Sequence, residues 1–320
     1  MENMEKATQI KYKERKNSLK TSIFVYALVL WPIVHFLIFW LYLNLDTILL
    51  TFQKFSVKEL AYVPSGFKNY QDLFKWLFDN NPNDHLIYAI RNSISILLFN
   101  DFILIPVSLF FAYIMYKKVP CGAFFKVVFF LPNIISIVVL SMVFKLMWDP
   151  NIGLIQDVLD GLGIGHLTPK NGWFADEGTA WPMIMVYCLW AGIGYDMIMF
   201  LSGFNRIPLE ISESAQLDGA GFLREFWSIS LPLASTTLAT LLTLATGMVL
   251  TFYIQPLMLT NGAPNGHTST IMLLIFSQVK SGPLGLNMSA TIGIAFSFVF
   301  LPIVYGVKKL VEKLLPPVEF

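Results

Sequence analysis

The side chains able to do chemistry are few and scattered. His35, His85, His166 and His267 stand far apart, Cys121 and Cys188 form no ligand spacing, and no H-E-x-x-H or G-x-S-x-G motif offers a metal site or an activated nucleophile. Nor is there a G-x-x-x-x-G-K-S/T loop to cradle the phosphates of a nucleotide. What remains is a set of acids in unusual company. Asp101 and Asp196 sit inside long apolar runs, while Glu213, Asp218, Arg224 and Glu225 punctuate the stretch ESAQLDGAGFLREFWSISLP between two such runs.

Composition accounts for those runs. Of 320 residues 55% are hydrophobic and only 13% charged, with 28 Phe, 12 Tyr and 8 Trp, as expected of a chain whose solvent is mostly lipid. A net charge of +1 provides no basic balance for nucleic acid, and the two cysteines no disulfide framework. Six runs are long enough to span a bilayer, at about 22–43, 86–116, 124–148, 181–203, 233–255 and 288–307. The first follows a polar, basic tail, residues 1–21, and imitates a secretory signal. It exceeds the ~7–15 residues of a signal's apolar core and lacks a small-residue cleavage site, so it reads as a retained helix. The expected fold is an all-α membrane protein, with one membrane domain over 22–309 and a tail over 310–320. The connections 44–85 and 149–180 are rich in Asn, Asp, Gly and Pro, which suits turns and short surface helices.

Lys and Arg set the expected orientation. Fourteen lie in the N-terminal tail, the 116–126 and 204–232 connections and the C-terminal segment, against six in the opposite loops. The positive-inside rule puts the first set, and both termini, in the cytoplasm.

The acids within spans need partners or water, because a carboxylate at mid-bilayer costs roughly 2.5–3.5 kcal/mol on insertion scales. Two readings stand for each: a polar contact to substrate or a proton relay, or a hydrogen bond between helices. Asp196 lies ~15 residues, hence ~22 Å, inward from Trp181, so a place near an inner gate is also open.

In the 204–232 connection, Pro208 suits the first turn of a helix, Asp218-Gly219 signals a turn, and Phe222, Leu223, Phe226 and Trp227 fall on one face of a second helix. Gly219 permits a positive φ and a close backbone approach. Patterning alone leaves two readings, a knob that docks into another protein or an amphipathic connector on the inner leaflet.

Glu213, Ser214, Ala215, then Gly219, then Ile229, Leu231 and Pro232 resemble the cytoplasmic signature E-A-A, x3, G, x9, I-x-L-P of permease subunits of bacterial ATP-binding-cassette importers, with Ser214 where alanine is usual. The texts LSGFNRIPLEISESAQLDGA, FFLPNIISIVVLSMVFKLMWDPNIGLIQDVL, VPSGFKNYQDLF and LTNGAPNGHTST are similar to the carbohydrate branch, maltose-type and oligosaccharide permeases; Gly262-Ala263-Pro264 stands where Gly-Gly-Pro is more frequent. The resemblance implies a six-helix type I importer permease in the bacterial plasma (inner) membrane, forming the path for a carbohydrate and coupling to ATPase subunits through 204–232. It implies that Glu213, Ser214, Ala215, Asp218, Gly219 and Ala220 form the coupling element. Glu213 would pair with a basic residue of the ATPase, Gly219 would make the turn and Ala215 would allow close packing. Implied partners are a second permease, two ATPase subunits and an extracellular or periplasmic solute-binding protein. This chain itself would bind no cofactor, ATP and magnesium belonging to the ATPase. A permease for another small solute and an ion-coupled secondary sugar transporter remain alternatives.

A sugar presents hydroxyls around apolar C–H faces, so a transit site needs aromatic platforms and a few hydrogen-bonding groups. Tyr187 and Trp190 share a helix face, Gly192 would let a ring approach the backbone, and Ser141, Thr246, Tyr253 and Gln255 offer hydroxyl and amide partners. The charge asymmetry yields a first test. Cysteines placed at Asn171 and Asn265 should react with an impermeant thiol reagent from outside, and one at Arg224 only from inside; the reverse pattern would invert the topology.

Overall fold

The computed structural model describes residues 21–78 and 85–314, so the N-terminal tail and the last residues of the C-terminal one lie outside the described residues. The chain divides into two compact units between Asn69 and Tyr70.

The first unit is a long apolar helix, α1 (Thr21–Thr51), followed by an antiparallel hairpin, β1 (Gln53–Ser56) and β2 (Ala61–Pro64), with Gln53 opposite Pro64 and Ser56 opposite Ala61. The expected span ended near residue 43; helix continues to Thr51 because Leu45, Ile48, Leu49 and Leu50 keep the segment apolar. The Asn69 amide closes the unit, donating to the Thr51 and Gln53 carbonyls at 2.8 and 2.7 Å. The short helix α2 (Lys68–Phe78) carries the chain into the second unit.

There, α3 (His85–Tyr116) and α7 (Ala180–Phe204) are long enough to cross a bilayer, as is α13 (Pro283–Leu314), which is longer than the 288–307 run. Two further spans are broken. α4 (Gly122–Ile134) and α5 (Ile137–Met147) meet at 107°, and α9 (Phe222–Leu233) and α10 (Ser235–Leu250) at 75°. Counting each bent pair as one, the described residues hold six helical spans by length and composition, in agreement with the hydropathy reading. Prolines explain several irregularities, since a proline withholds the N–H that an α-helix needs. Pro132 lies inside α4 just before its break. Pro106 and Pro232 each follow a π-helical turn, Asn100–Leu104 and Phe226–Ser230. Short helices α6 (Leu154–Gly161), α11 (Ile254–Leu259) and α12 (Ile271–Lys280) fill the connections, and α8 (Leu209–Leu217) precedes α9.

α7 is the axis of this unit. Its residues enter two of three apolar clusters, one with Tyr113, Phe226 and Leu241 around Phe200 and Phe204, the other with Phe144, Phe174 and Phe252 around Tyr187. Gly194 lets α7 and α4 touch backbone to backbone: a Cβ there would lie 2.0 Å from the Phe129 carbonyl oxygen. Backbone cannot yield as a side-chain tip can, so Gly194→Val should lose the folded, monodisperse protein on size exclusion in detergent. Gly247→Ala, where a Cβ meets nothing within 4 Å, should elute like the parent.

Candidate functional site

The 204–232 connection folds as helix, turn, helix. Pro208 is the N-cap of α8 rather than its first helical residue, with an extended ψ of 136°. α8 ends in a Schellman turn: the Ala220 N–H donates to the Ala215 carbonyl at 2.9 Å and the Gly219 N–H to the Gln216 carbonyl at 3.0 Å, with Gly219 at φ +75°. That φ is the reason for glycine here. Glu213, Ser214, Asp218 and Gly219 face outward, whereas Ala215 is buried against its own chain and Ala220 is half-buried. Leu217, at the tip, is 89% exposed. The expected apolar face of α9 divides in two: Phe226 is buried, and Phe222, Leu223 and Trp227 are exposed, with a π turn beginning at Phe226.

The residues that hold this hairpin escaped the sequence reading. Lys117, at the C-cap of α3, forms an ion pair with Glu225 of α9 and donates to the Ser212 hydroxyl of α8 at 3.1 Å. Ser212 in turn donates to Glu225 Oε1 at 2.7 Å. The Tyr113 hydroxyl donates to the Phe222 carbonyl at 3.1 Å, and its ring packs against Phe204, Phe222 and Phe226. The Glu225 side chain is only 4% exposed, so its charge is satisfied by these partners rather than by water. The sole sequence signal was a lysine at the end of one span and a glutamate in an amphipathic helix far downstream.

The break between α4 and α5 borders a cavity of about 280 Å³. Pro132, Asn133, Ile135 and Ile137 from the α4–α5 break line it, facing Tyr187, Ala191, Gly192, Tyr195 and Asp196 of α7, Asn100 of α3 and Gln255 of α11. The Asn133 amide donates to the Ala191 carbonyl at 3.0 Å, pinning the break to α7. Of the path residues read from sequence, Tyr187, Gly192 and Gln255 come together on this wall. Ser141 stands behind it, its Oγ 3.1 Å from the Tyr187 hydroxyl and 2.6 Å from the Ile137 carbonyl. Trp190 stacks on Phe144 with ring centroids 5.6 Å apart, and Tyr253 packs on Phe276 at 5.2 Å. Thr246 Oγ1 lies 2.9 Å from Asp101 Oδ2, a hydrogen bond between α10 and α3. The group approaching Gly192 is the Leu104 side chain, 2.9 Å from where a Cβ would stand, not a ring. Asn100, Asn133 and Tyr195 were missed; the usable signal was Pro132-Asn133, a helix breaker and an amide inside an apolar run. Among the described residues no group of three or more His, Cys, Asp or Glu is placed to hold a metal ion.

Among the described residues, six apolar spans, two of them broken and one of those breaks bordering a cavity, together with an outward-facing hairpin clamped to a span end, define a polytopic membrane protein of the transport type. The chain belongs to the family described as "Binding-protein-dependent transport system inner membrane component", whose pattern matches residues 104–315. It is similar to the "Probable ABC transporter permease protein YurN" of Bacillus subtilis (strain 168), 30% identical over 67% of this chain and 70% of that one. It is also similar to the "Diacetylchitobiose uptake system permease protein NgcF" of Streptomyces coelicolor (strain ATCC BAA-471 / A3(2) / M145), 25% identical over 77% of this chain and 70% of that one. In fold it resembles a chain of "a bacterial ABC transporter involved in the import of the acidic polysaccharide alginate", with a TM-score of 0.77 at 21% identity, covering 93% of this chain and 98% of that one.

The clamp carries its own test. Removing one partner of a buried ion pair costs about 3–5 kcal/mol, because the other charge is left without compensation. Glu225→Gln and Lys117→Met should each raise amide hydrogen exchange through 209–225 by at least about tenfold. Glu213→Gln, on the exposed face, should leave it unchanged.

Proposed function

We propose that the chain is a membrane-spanning permease subunit of an ATP-binding-cassette importer, that it forms part of the translocation path for a carbohydrate, an oligosaccharide in particular, and that it takes up ATP-driven motion through the 204–232 hairpin. The observation that carries this reading is the hairpin. An outward face of Glu213, Ser214 and the bare Leu217, ended by the Gly219 turn, is shaped for a cleft on another protein, and its buried face is tied to α3 through Lys117, Glu225 and Ser212. A lipid-surface connector needs no such rigid attachment. Glu213, Ser214, Ala215, Asp218, Gly219 and Ala220 form the coupling element in this reading, and Tyr187, Gly192 and Gln255 belong to the path, with Ser141 supporting Tyr187. Trp190, Thr246 and Tyr253 stand outside the cavity wall and belong to the path only if it extends beyond that cavity.

The partners that complete the machine are a second permease, two ATPase subunits holding ATP and magnesium, and an extracellular or periplasmic binding protein, in a bacterial plasma membrane with both termini cytoplasmic. The carbohydrate assignment is supported by relatives named for saccharide uptake and by a cavity in which Tyr187, Tyr195, Phe252 and the amides of Asn100, Asn133 and Gln255 stand among aliphatic residues, with Asp196 the one charged side chain and no clamp of paired charges.

The test is reconstitution of the whole complex with its binding protein in vesicles, with uptake of labelled oligosaccharides and ATP hydrolysis read together. Gly219→Val should leave the subunits co-purifying while uptake and substrate-stimulated hydrolysis fall together by about tenfold or more, because a β-branched residue is strained at that φ. Normal uptake with intact stimulation would defeat the docking role. Movement of amino acids or polyamines, and of no saccharide, would defeat the carbohydrate assignment while leaving the importer assignment standing.

A further inference from the structure

The cavity at α7 carries formal charge of one sign. Asp196 lines it, and no lysine, arginine or histidine does. Among the described residues the Asp196 carboxylate has neither a hydrogen-bond donor nor an ion-pair partner. Asp101, the other acid within a span, is by contrast engaged by Thr246 at 2.9 Å. An acid left bare in the wall of a largely apolar cavity at membrane depth is placed for what enters that cavity. The groups beside it, Asn100, Asn133, Gln255 and Tyr195, are neutral.

We propose that Asp196 makes this cavity selective by charge, admitting neutral and amino saccharides and turning away acidic ones such as uronates. The saccharide part rests on the carbohydrate reading above; the charge selectivity does not. A neutral sugar offers hydroxyl donors that a carboxylate accepts, and an ammonium group strengthens that contact. A uronate brings a second carboxylate, which needs an arginine or lysine opposite, and this wall provides none. Low-dielectric walls amplify the repulsion and concentrate the field in the cleft. The alginate transporter of similar fold is involved in import of an acidic polysaccharide; on this proposal the two share a fold and differ in charge selectivity.

The field can be read without knowing the sugar. In the assembled complex, Ala191→Cys places a thiol on the cavity wall, in a background with Cys121→Ser and Cys188→Ala; Ile135→Cys serves as a second reporter on the opposite wall. The probes are a trimethylammonium-ethyl and a sulfonato-ethyl methanethiosulfonate, their rates normalised to those on free 2-mercaptoethanol. The cationic reagent should react about tenfold faster or more, and Asp196→Asn should bring the two rates within roughly twofold of each other. Equal rates with Asp196 present, or a preference that survives Asp196→Asn, would overturn the proposal, as would uptake of an oligogalacturonide by the unsubstituted transporter. If no saccharide of any kind is carried but the reagent preference holds and depends on Asp196, the carbohydrate reading fails and the charge selectivity stands.

Discussion

Lipid offers no hydrogen bonds, so every peptide group at membrane depth must be satisfied by the chain itself. Long helices meet that demand without further help, and α3, α7 and α13 do so. A break in a helix frees backbone groups and is tolerated only where other protein atoms or a water-lined space receive them. The break between α4 and α5 therefore has a determined surrounding: Asn133 and Ile135 face a cavity, and the Asn133 side chain spends its donor on α7. The same constraint that forbids loops in the bilayer thus marks where the interior cavity of this protein lies.

In the proposed reading motion crosses from the hairpin to that interior, and the connections available for it are short. Lys117 joins the end of α3 to both helices of the hairpin, and α3 contributes Asn100 and Leu104 to the cavity wall further along the same helix. α7 makes a second connection, from the cavity wall at Tyr187 to Phe204, which packs against Tyr113 and Tyr116 beside the hairpin. A displacement of α8 or α9 cannot be absorbed locally without breaking a buried ion pair or parting packed aromatic rings. That rigidity is what an element must have if force applied at its exposed face is to be felt at the cavity.

The two intramembrane acids illustrate how context divides like residues. Asp101 sits in a π-helical turn and is held by Thr246 across a helix contact, a structural use of a costly group. Asp196, on the unbroken α7, lines the cavity. Both are single aspartates in apolar runs, and nothing in their neighbours along the chain separates them.

The sequence by itself determined the solvent, the number of spans and the character of the hairpin. Hydropathy is a sum over neighbouring residues, helix caps and turns are local, and Pro208, Asp218 and Gly219 carry their geometry with them. The span ends were less legible: helix runs past 43 because the segment stays apolar, and α13 runs past 307 through residues that are mostly exposed, so helix and hydropathy do not end together. Only the tertiary structure decided which residues meet. The Lys117–Glu225 pair spans 108 residues of sequence, and Ser141 meets Tyr187 across 46. Such pairings depend on the angles at which helices cross and break, and those angles are set by close contacts such as Gly194 against the Phe129 carbonyl, which no periodicity in one segment records.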